Sequence, residues 1–200
     1  MKAFKKFDRH QTLFILVILI LVAVFIFIGC VFLYFSSNIS DTKNAALIFS
    51  YSENSGDLVV DNSMPITDAV GKQLKFSANQ EKYGFSEFSI SSNMDGLKSV
   101  DYEIYAIPVG VAMQLPTDYV KVYLTDGEND LPIDYYRNSV PTYRELKVSR
   151  STPGGKRIYS GTIKNGEIKT FRLRTWLAES YPITTESYSF KMLLRVRVIN

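Results

Sequence analysis

From residue 45 onward, apolar and polar positions alternate in short runs. Phe190, Met192, Leu194, Val196 and Val198 alternate with Lys191, Leu193, Arg195, Arg197 and Ile199. That is the period of two expected of a half-buried strand, whose successive side chains leave opposite faces. Phe171, Leu173, Thr175 and Leu177 alternate in the same way with Arg172, Arg174 and Trp176, and Val120, Val122 and Leu124 with Tyr119, Lys121 and Tyr123. Val100, Tyr102, Ile104 and Ala106 alternate with Asp101, Glu103, Tyr105 and Ile107. Residues 45–51, 57–61, 84–91 and 157–164 complete a set of about eight strands. Helical spacing is confined to Thr67–Leu74, and Gly71 within it predicts a short helix.

Turn residues punctuate these runs. Asn165-Gly166 between Ile163 and Ile168 predicts a β-hairpin, since a type I′ turn needs positive φ at both central residues. Thr152-Pro153-Gly154-Gly155 and Asp126-Gly127 mark further turns. Many short strands without a long helix predict an all-β fold, an antiparallel β-sandwich of Greek-key or jelly-roll type covering residues 45–200.

The pattern changes completely before residue 36. Residues 12–35 read TLFILVILILVAVFIFIGCVFLYF, without one charged side chain. As a helix they would extend about 36 Å, against roughly 30 Å of bilayer hydrocarbon. A cleavable signal has a shorter apolar region and small residues at its end; this run closes on Phe32-Leu33-Tyr34-Phe35. The reading is a retained transmembrane helix at 12–35, a signal-anchor. Lys2, Lys5, Lys6 and Arg9 precede it and only Lys43 lies close after it. Positive-inside bias then leaves residues 1–11 as a cytoplasmic basic tail and exports residues 36–200. Residues 36–44 form a polar spacer that reaches roughly 30 Å if extended, so the domain stays close to the bilayer.

Charge and cysteine usage refine this picture. The formal net charge of +3 is carried by the first eleven residues, and the remaining basic and acidic residues balance. A nucleic-acid-binding domain would show a basic excess in its folded part, so no nucleic-acid partner is expected. The single cysteine, Cys30, lies in the apolar run, so the domain has no internal disulfide.

Candidate chemistry is sparse. The single histidine is His10, so residues 45–200 contain neither His nor Cys, which removes Ser-His-Asp and Cys-His catalysis and typical zinc sites. No phosphate-binding glycine loop is present. The expectation is a protein that is not an enzyme and uses no cofactor. Asp126, Glu128 and Asp130 gather oxygen ligands in one loop, as calcium prefers, but Asp, Asn and Gly are also ordinary turn residues, and the turn is the favoured reading. Arg172, Arg174, Arg195 and Arg197 would form a basic row if their strands were neighbours, with Trp176 continuing it; such a face binds anionic polymers, glycan or a partner protein. The competing reading is a solvated outer face with Trp176 under a loop. Tyr135-Tyr136, in the loop-like segment 131–140, is a second candidate contact surface.

Several segments in order carry a resemblance: Ser63-Met64-Pro65-Ile66-Thr67-Asp68-Ala69-Val70-Gly71-Lys72, Val122-Tyr123-Leu124-Thr125-Asp126, Pro141-Thr142-Tyr143, Ile158-Tyr159-Ser160-Gly161-Thr162 and Phe171-Arg172-Leu173-Arg174-Thr175-Trp176-Leu177. Together they resemble uncharacterised single-span surface proteins of low-GC Gram-positive bacteria. In layout the chain is more distantly similar to the camelysin and TasA-like family, whose exported β-sandwich domains assemble into matrix fibres; the apparent anchor departs from that family's cleavable signals. The resemblance implies a membrane-anchored structural or interaction protein at the cell surface, partnered by the bilayer and by other protein subunits, its own copies or others. Two alternatives stay open: a minor structural protein in the membrane of a virion, and a surface module that binds glycan or peptide.

Overall fold

The computed structural model describes residues 22, 45–53, 55–62, 64–77, 82–110, 114–150 and 152–199. The chain divides into two units, Met1–Lys43 and Asn44–Asn200. Of the first, only Val22 is described, in helical conformation and exposed. Among the described residues no helix is long and apolar enough to cross a membrane. The remainder of the span read at 12–35, the tail 1–11 and the spacer 36–44 lie outside them.

The second unit is all-β. Its strands are β1 (Ala45–Tyr51), β2 (Val59–Asp61), β3 (Pro65–Ile66), β4 (Gly84–Met94), β5 (Ser99–Val109), β6 (Val120–Asp126), β7 (Lys156–Lys164), β8 (Ile168–Ala178) and β9 (Ser189–Ile199). One helical turn, α1 (Asp68–Gly71), lies between β3 and β4, and a 3₁₀ turn, Asp134–Arg137, lies between β6 and β7. The alternating runs thus fold as the strands their pattern predicts, with the two-residue β3 added. Thr67 caps α1, its hydroxyl accepting from the Val70 N–H.

Two sheets form. One runs β1-β4-β8, with β6 and the short β3 also on β8; the other runs β2-β9-β5-β7. All pairings are antiparallel except β3 on β8. Between them lie Phe88, Ile90, Val122, Leu124, Leu173 and Leu177 from the first sheet and Val60, Tyr102, Ile104, Ala106, Ile163 and Phe190 from the second, all buried. Phe171 of β8 meets Tyr159 of β7 across the sandwich at 5.6 Å between ring centroids.

No two consecutive strands are paired, and apart from β3 to β4 every connection passes from one sheet to the other. The Asn165-Gly166 turn therefore does not close a hairpin, as its dipeptide predicts: it carries the chain from β7 in one sheet to β8 in the other. Only Gly166 takes positive φ, +75°, and Glu167 N–H bonds the Lys164 carbonyl at 3.1 Å, which is type II geometry rather than I′. Tertiary contacts override the local preference. The Asn165 side chain exchanges hydrogen bonds with the Met94 backbone at 3.0 Å in both directions, and Gly166 N–H bonds the Ser92 carbonyl at 3.2 Å. The turn is thereby fastened to the end of β4, beside the β4–β5 crossing.

Candidate functional site

The outer face of the first sheet carries a second buried layer. Cross-strand register places Arg174 between Phe85 on β4 and Tyr123 on β6, and Arg172 between Glu87 and Thr125. Arg174 is 2% exposed. Its guanidinium donates to the Leu74 carbonyl (2.6 Å), Thr125 Oγ1 (3.0 Å) and Asp130 Oδ2 (2.8 Å), and it lies over the Phe85 ring at 5.4 Å. Arg172 Nε bonds Glu87 Oε2 at 2.5 Å. Trp176 is fully buried beneath α1, because Gly71 has no side chain to hold the helix away from the indole. The residues expected to display an Arg-Trp face are used to hold two covering segments, 65–77 and 126–137, on the sheet.

Arg195 and Arg197 are on β9, in the other sheet, so the row that needed β8 and β9 as neighbours is not formed. Both are exposed. Register sets Arg197 opposite Glu103 and Arg195 opposite Tyr105. Glu103 is completely buried on the outer face of this second sheet, accepting from Ser149 Oγ at 3.0 Å and Arg150 N–H at 3.3 Å, with Arg157 Nε at 3.9 Å. The two sheets thus use one device with opposite sign: a buried charge on the outward face ties down a covering loop, through Arg174 on one and Glu103 on the other. Alternation marked Glu103 as an outward polar position; nothing in the pattern shows that the loop at 149–150 covers it.

Asp126 organises its turn, accepting from Glu128 N–H (3.1 Å), Asn129 N–H (2.6 Å) and Leu131 N–H (3.1 Å). Asp130 is engaged by Thr125 Oγ1 at 2.6 Å and by Arg174. Burial alone would raise the Asp130 pKa, but hydrogen bonds from Arg174 and Thr125 and the charges of Arg174 and Arg172 hold it below the usual carboxylate value. Glu128 is exposed. Among the described residues no group of three His, Cys, Asp or Glu side chains converges on a metal position.

Tyr135 and Tyr136 do share a site. Their rings stack at 4.3 Å, Tyr136 buried and Tyr135 42% exposed. Tyr136 Oη donates to the Ile158 carbonyl at 3.0 Å, which fixes the 3₁₀ turn against β7. Burial pushes the Tyr136 hydroxyl well above its ordinary pKa, with Tyr135 and Asp134 adding to the shift. Beside them lies a cleft of about 440 Å³, lined by Asp134, Tyr135, Glu145, Lys147, Arg157 and Tyr159 among others. Asp134 opens the turn at φ +48° and Asp130 precedes it at φ +58°, a left-handed conformation that Asp tolerates better than most residues. The cleft mixes both signs of charge around one exposed aromatic ring. Arg157, Glu145 and Lys147 come from segments distant in sequence from the tyrosines, so no local motif announces them.

The sheet edges differ sharply in protection. The outer edge of β6 is covered by segment 131–143, through Asp126 N–H to the Leu131 carbonyl, Ile133 N–H to Leu124, Val122 N–H to Pro141 and Tyr143 N–H to Val120, at 2.7–3.2 Å. The start of β7 is covered by Arg157 N–H to the Lys147 carbonyl at 2.7 Å and by Tyr136. β2 is only three residues long. β1 pairs with β4 on one side, and among the described residues no backbone group bonds its other side.

No protein-family model matches the chain, and no curated protein does.

Proposed function

We propose that this protein is a membrane-anchored structural or interaction protein. It holds its β-sandwich within a few nanometres of the outer face of a bilayer, at a cell surface or in a surface-attached matrix. One observation carries the reading: a span-length run without a charged side chain, residues 12–35, is joined by the short polar stretch 36–44 to a domain that starts at β1. The use of charged groups supports it. Arg172, Arg174, Asp130, Glu87 and Glu103 hold segments of the domain together, and so are engaged in architecture rather than presented to a substrate. Of the two layouts expected for the sandwich, the winding of successive strands from sheet to sheet favours the jelly-roll type.

The test is fractionation of cells expressing the full chain. The protein is expected to stay with membranes in alkaline carbonate, and its domain to be cleaved by protease added outside intact cells. Release by carbonate, or protection of the domain, overturns the reading. Co-purification with virus particles rather than cell envelope would move the same architecture to a virion membrane.

A second reading rests on the Tyr135 cleft. An exposed tyrosine stacked on a fixed one, with Asp134 and Arg157 at hand, suits a sugar ring or an extended peptide. Binding of a glycan or peptide panel that Tyr135→Ala abolishes, with the thermal melt unchanged, would establish it; a panel with no Tyr135-dependent binder removes it.

A further inference from the structure

We infer that β1 is a self-pairing edge, through which two copies of this chain join their first sheets antiparallel about a two-fold axis at Ile48. The inference names the partner in the proposed assembly role and rests on that reading for its setting.

Parity fixes which groups face outward. Ser52 N–H bonds the Glu87 carbonyl at 2.9 Å, so even-numbered residues of β1 direct their backbone groups toward β4. Leu47, Phe49 and Tyr51 therefore turn their N–H and C=O groups away from the sheet. Such a row is completed by a strand, whatever its source. The sequence of the edge is Ala-Ala-Leu-Ile-Phe-Ser-Tyr, with no charge, no proline and no glycine. Natural edges usually carry one of the devices that block pairing; here loops cover the β6 edge and the start of β7, and the exposed end of β9 carries Arg195 and Arg197.

A second copy fits because the strand is complementary to itself. About Ile48, Leu47 lies opposite Phe49 of the partner copy and Ala45 opposite its Tyr51, a small residue against a large one. Leu47 and Phe49 also point their side chains to the core side, where both are only partly buried. Phe49 already contacts the buried Phe88 at 5.1 Å. Pairing would extend that apolar layer from one copy into the next. On the outer face Ile48, 55% exposed, meets Ile48 of the other copy. No pair opposes like charges.

The contact is small. Two seven-residue edges bury less than the roughly 1,200 Å² of a stable interface, so pairing is weak between freely diffusing domains. A short link to the bilayer changes that balance. Copies tethered through residues 36–44 share one thin layer, and their effective concentration rises without any new contact.

Cross-linking reads the register directly. In the full chain with Cys30→Ser throughout, reconstituted in phosphatidylcholine–phosphatidylglycerol vesicles, Ile48→Cys is expected to give a disulfide-linked dimer on mild oxidation. Its two Cα atoms would be about 4.5 Å apart in a non-hydrogen-bonded pair. Ser50→Cys alone should not cross-link, being about 13 Å from its counterpart, whereas Ser50→Cys mixed with Ala46→Cys should. Ile48→Lys, at an exposed position, should abolish the dimer and leave the Trp176 emission and melt unchanged. Absence of an Ile48→Cys dimer, or cross-linking that favours another register, overturns the pairing. Carbonate release of the same protein would instead overturn the anchoring. The released protein, cross-linked at high concentration, would still decide the pairing.

Discussion

Replacing Gly71 by alanine tests how the outer layer of the first sheet is held. A Cβ at Gly71 would lie 2.5 Å from Trp176 Cζ2 and nearer still to Cδ2 and Cε2. Ordinary contact begins near 3.4 Å, so helix and ring must separate by about 1 Å or more. The indole has little room to move: it is fully buried, with Tyr123 edge-on at 6.3 Å. α1 is a single turn, fixed by the Thr67 cap and the segment leading to the Leu74 carbonyl that Arg174 binds. The helix should therefore lift rather than the ring shift. Overpacking of this kind costs about 1–3 kcal/mol, and a domain of this size loses about 2–4 °C of Tm per kcal/mol. Trp176 is the single tryptophan, so its fluorescence reports the event directly. Gly71→Ala should lower Tm by several degrees and shift the emission to longer wavelength as water reaches the indole. The neighbouring Val70→Ala, at a half-exposed position, should do neither. An unchanged Tm together with unchanged emission in Gly71→Ala would refute the packing argument.

Arg174→Met keeps the packing stem but leaves the Leu74 carbonyl and Thr125 hydroxyl without their donor; because Asp130 can rehydrate, the cost should be about 2–3 kcal/mol, below that of a fully buried broken pair. Asp130 has a lowered folded pKa, so its contribution is present above the unfolded value near about 3.9 and is lost as pH falls through the folded value. Denaturant titrations should show that acid-side loss in the wild type and less of it in Arg174→Met; equal losses would refute the linkage. Tyr102→Phe removes a buried hydroxyl that has no hydrogen-bond partner among the described residues and should leave stability unchanged or raise it by up to about 1 kcal/mol, whereas Tyr143→Phe, which loses the bond to the Ala106 carbonyl, should cost about 1 kcal/mol. Burial raises the pKa of Tyr102, Tyr136 and Tyr143 above the ordinary value near about 10, so their stabilisation is complete below that pH and declines as pH rises toward the folded values. Alkaline unfolding monitored by tyrosinate absorbance should accordingly be cooperative rather than a simple titration.

How much of this was legible in the sequence depends on the range of the interaction. Strand positions were, because alternation is a property of neighbouring residues: the runs at 100–106, 120–124, 171–177 and 190–198 all lie within strands. A short helix was expected within Thr67–Leu74, and a single turn forms there, at Asp68–Gly71. Asn165-Gly166 shows where local reasoning stops. The dipeptide favours a turn, but whether that turn closes a hairpin or crosses between sheets depends on the Asn165 and Gly166 bonds to residues 92–94. The Arg-Trp face failed for a related reason. A strand with one apolar face reads as solvated on the other, and no local signal reveals that α1 and segment 126–137 fold over it.

The sequence by itself determined the uncharged run at 12–35, the location of the charge excess, the absence of His and Cys from residues 45–200 and the strand periodicity. Each is a matter of composition or of neighbours along the chain. Tertiary structure decided the rest. It separated Arg172 and Arg174 from Arg195 and Arg197, buried Arg174, Glu103 and Trp176, gathered the cleft around Tyr135 and left the outer side of β1 without a backbone partner among the described residues. The physical reason is that every neighbour of a strand in its sheet comes from elsewhere in the chain. A period of two says which side of a strand is apolar, but not which strand lies beside it or which segment covers its polar side.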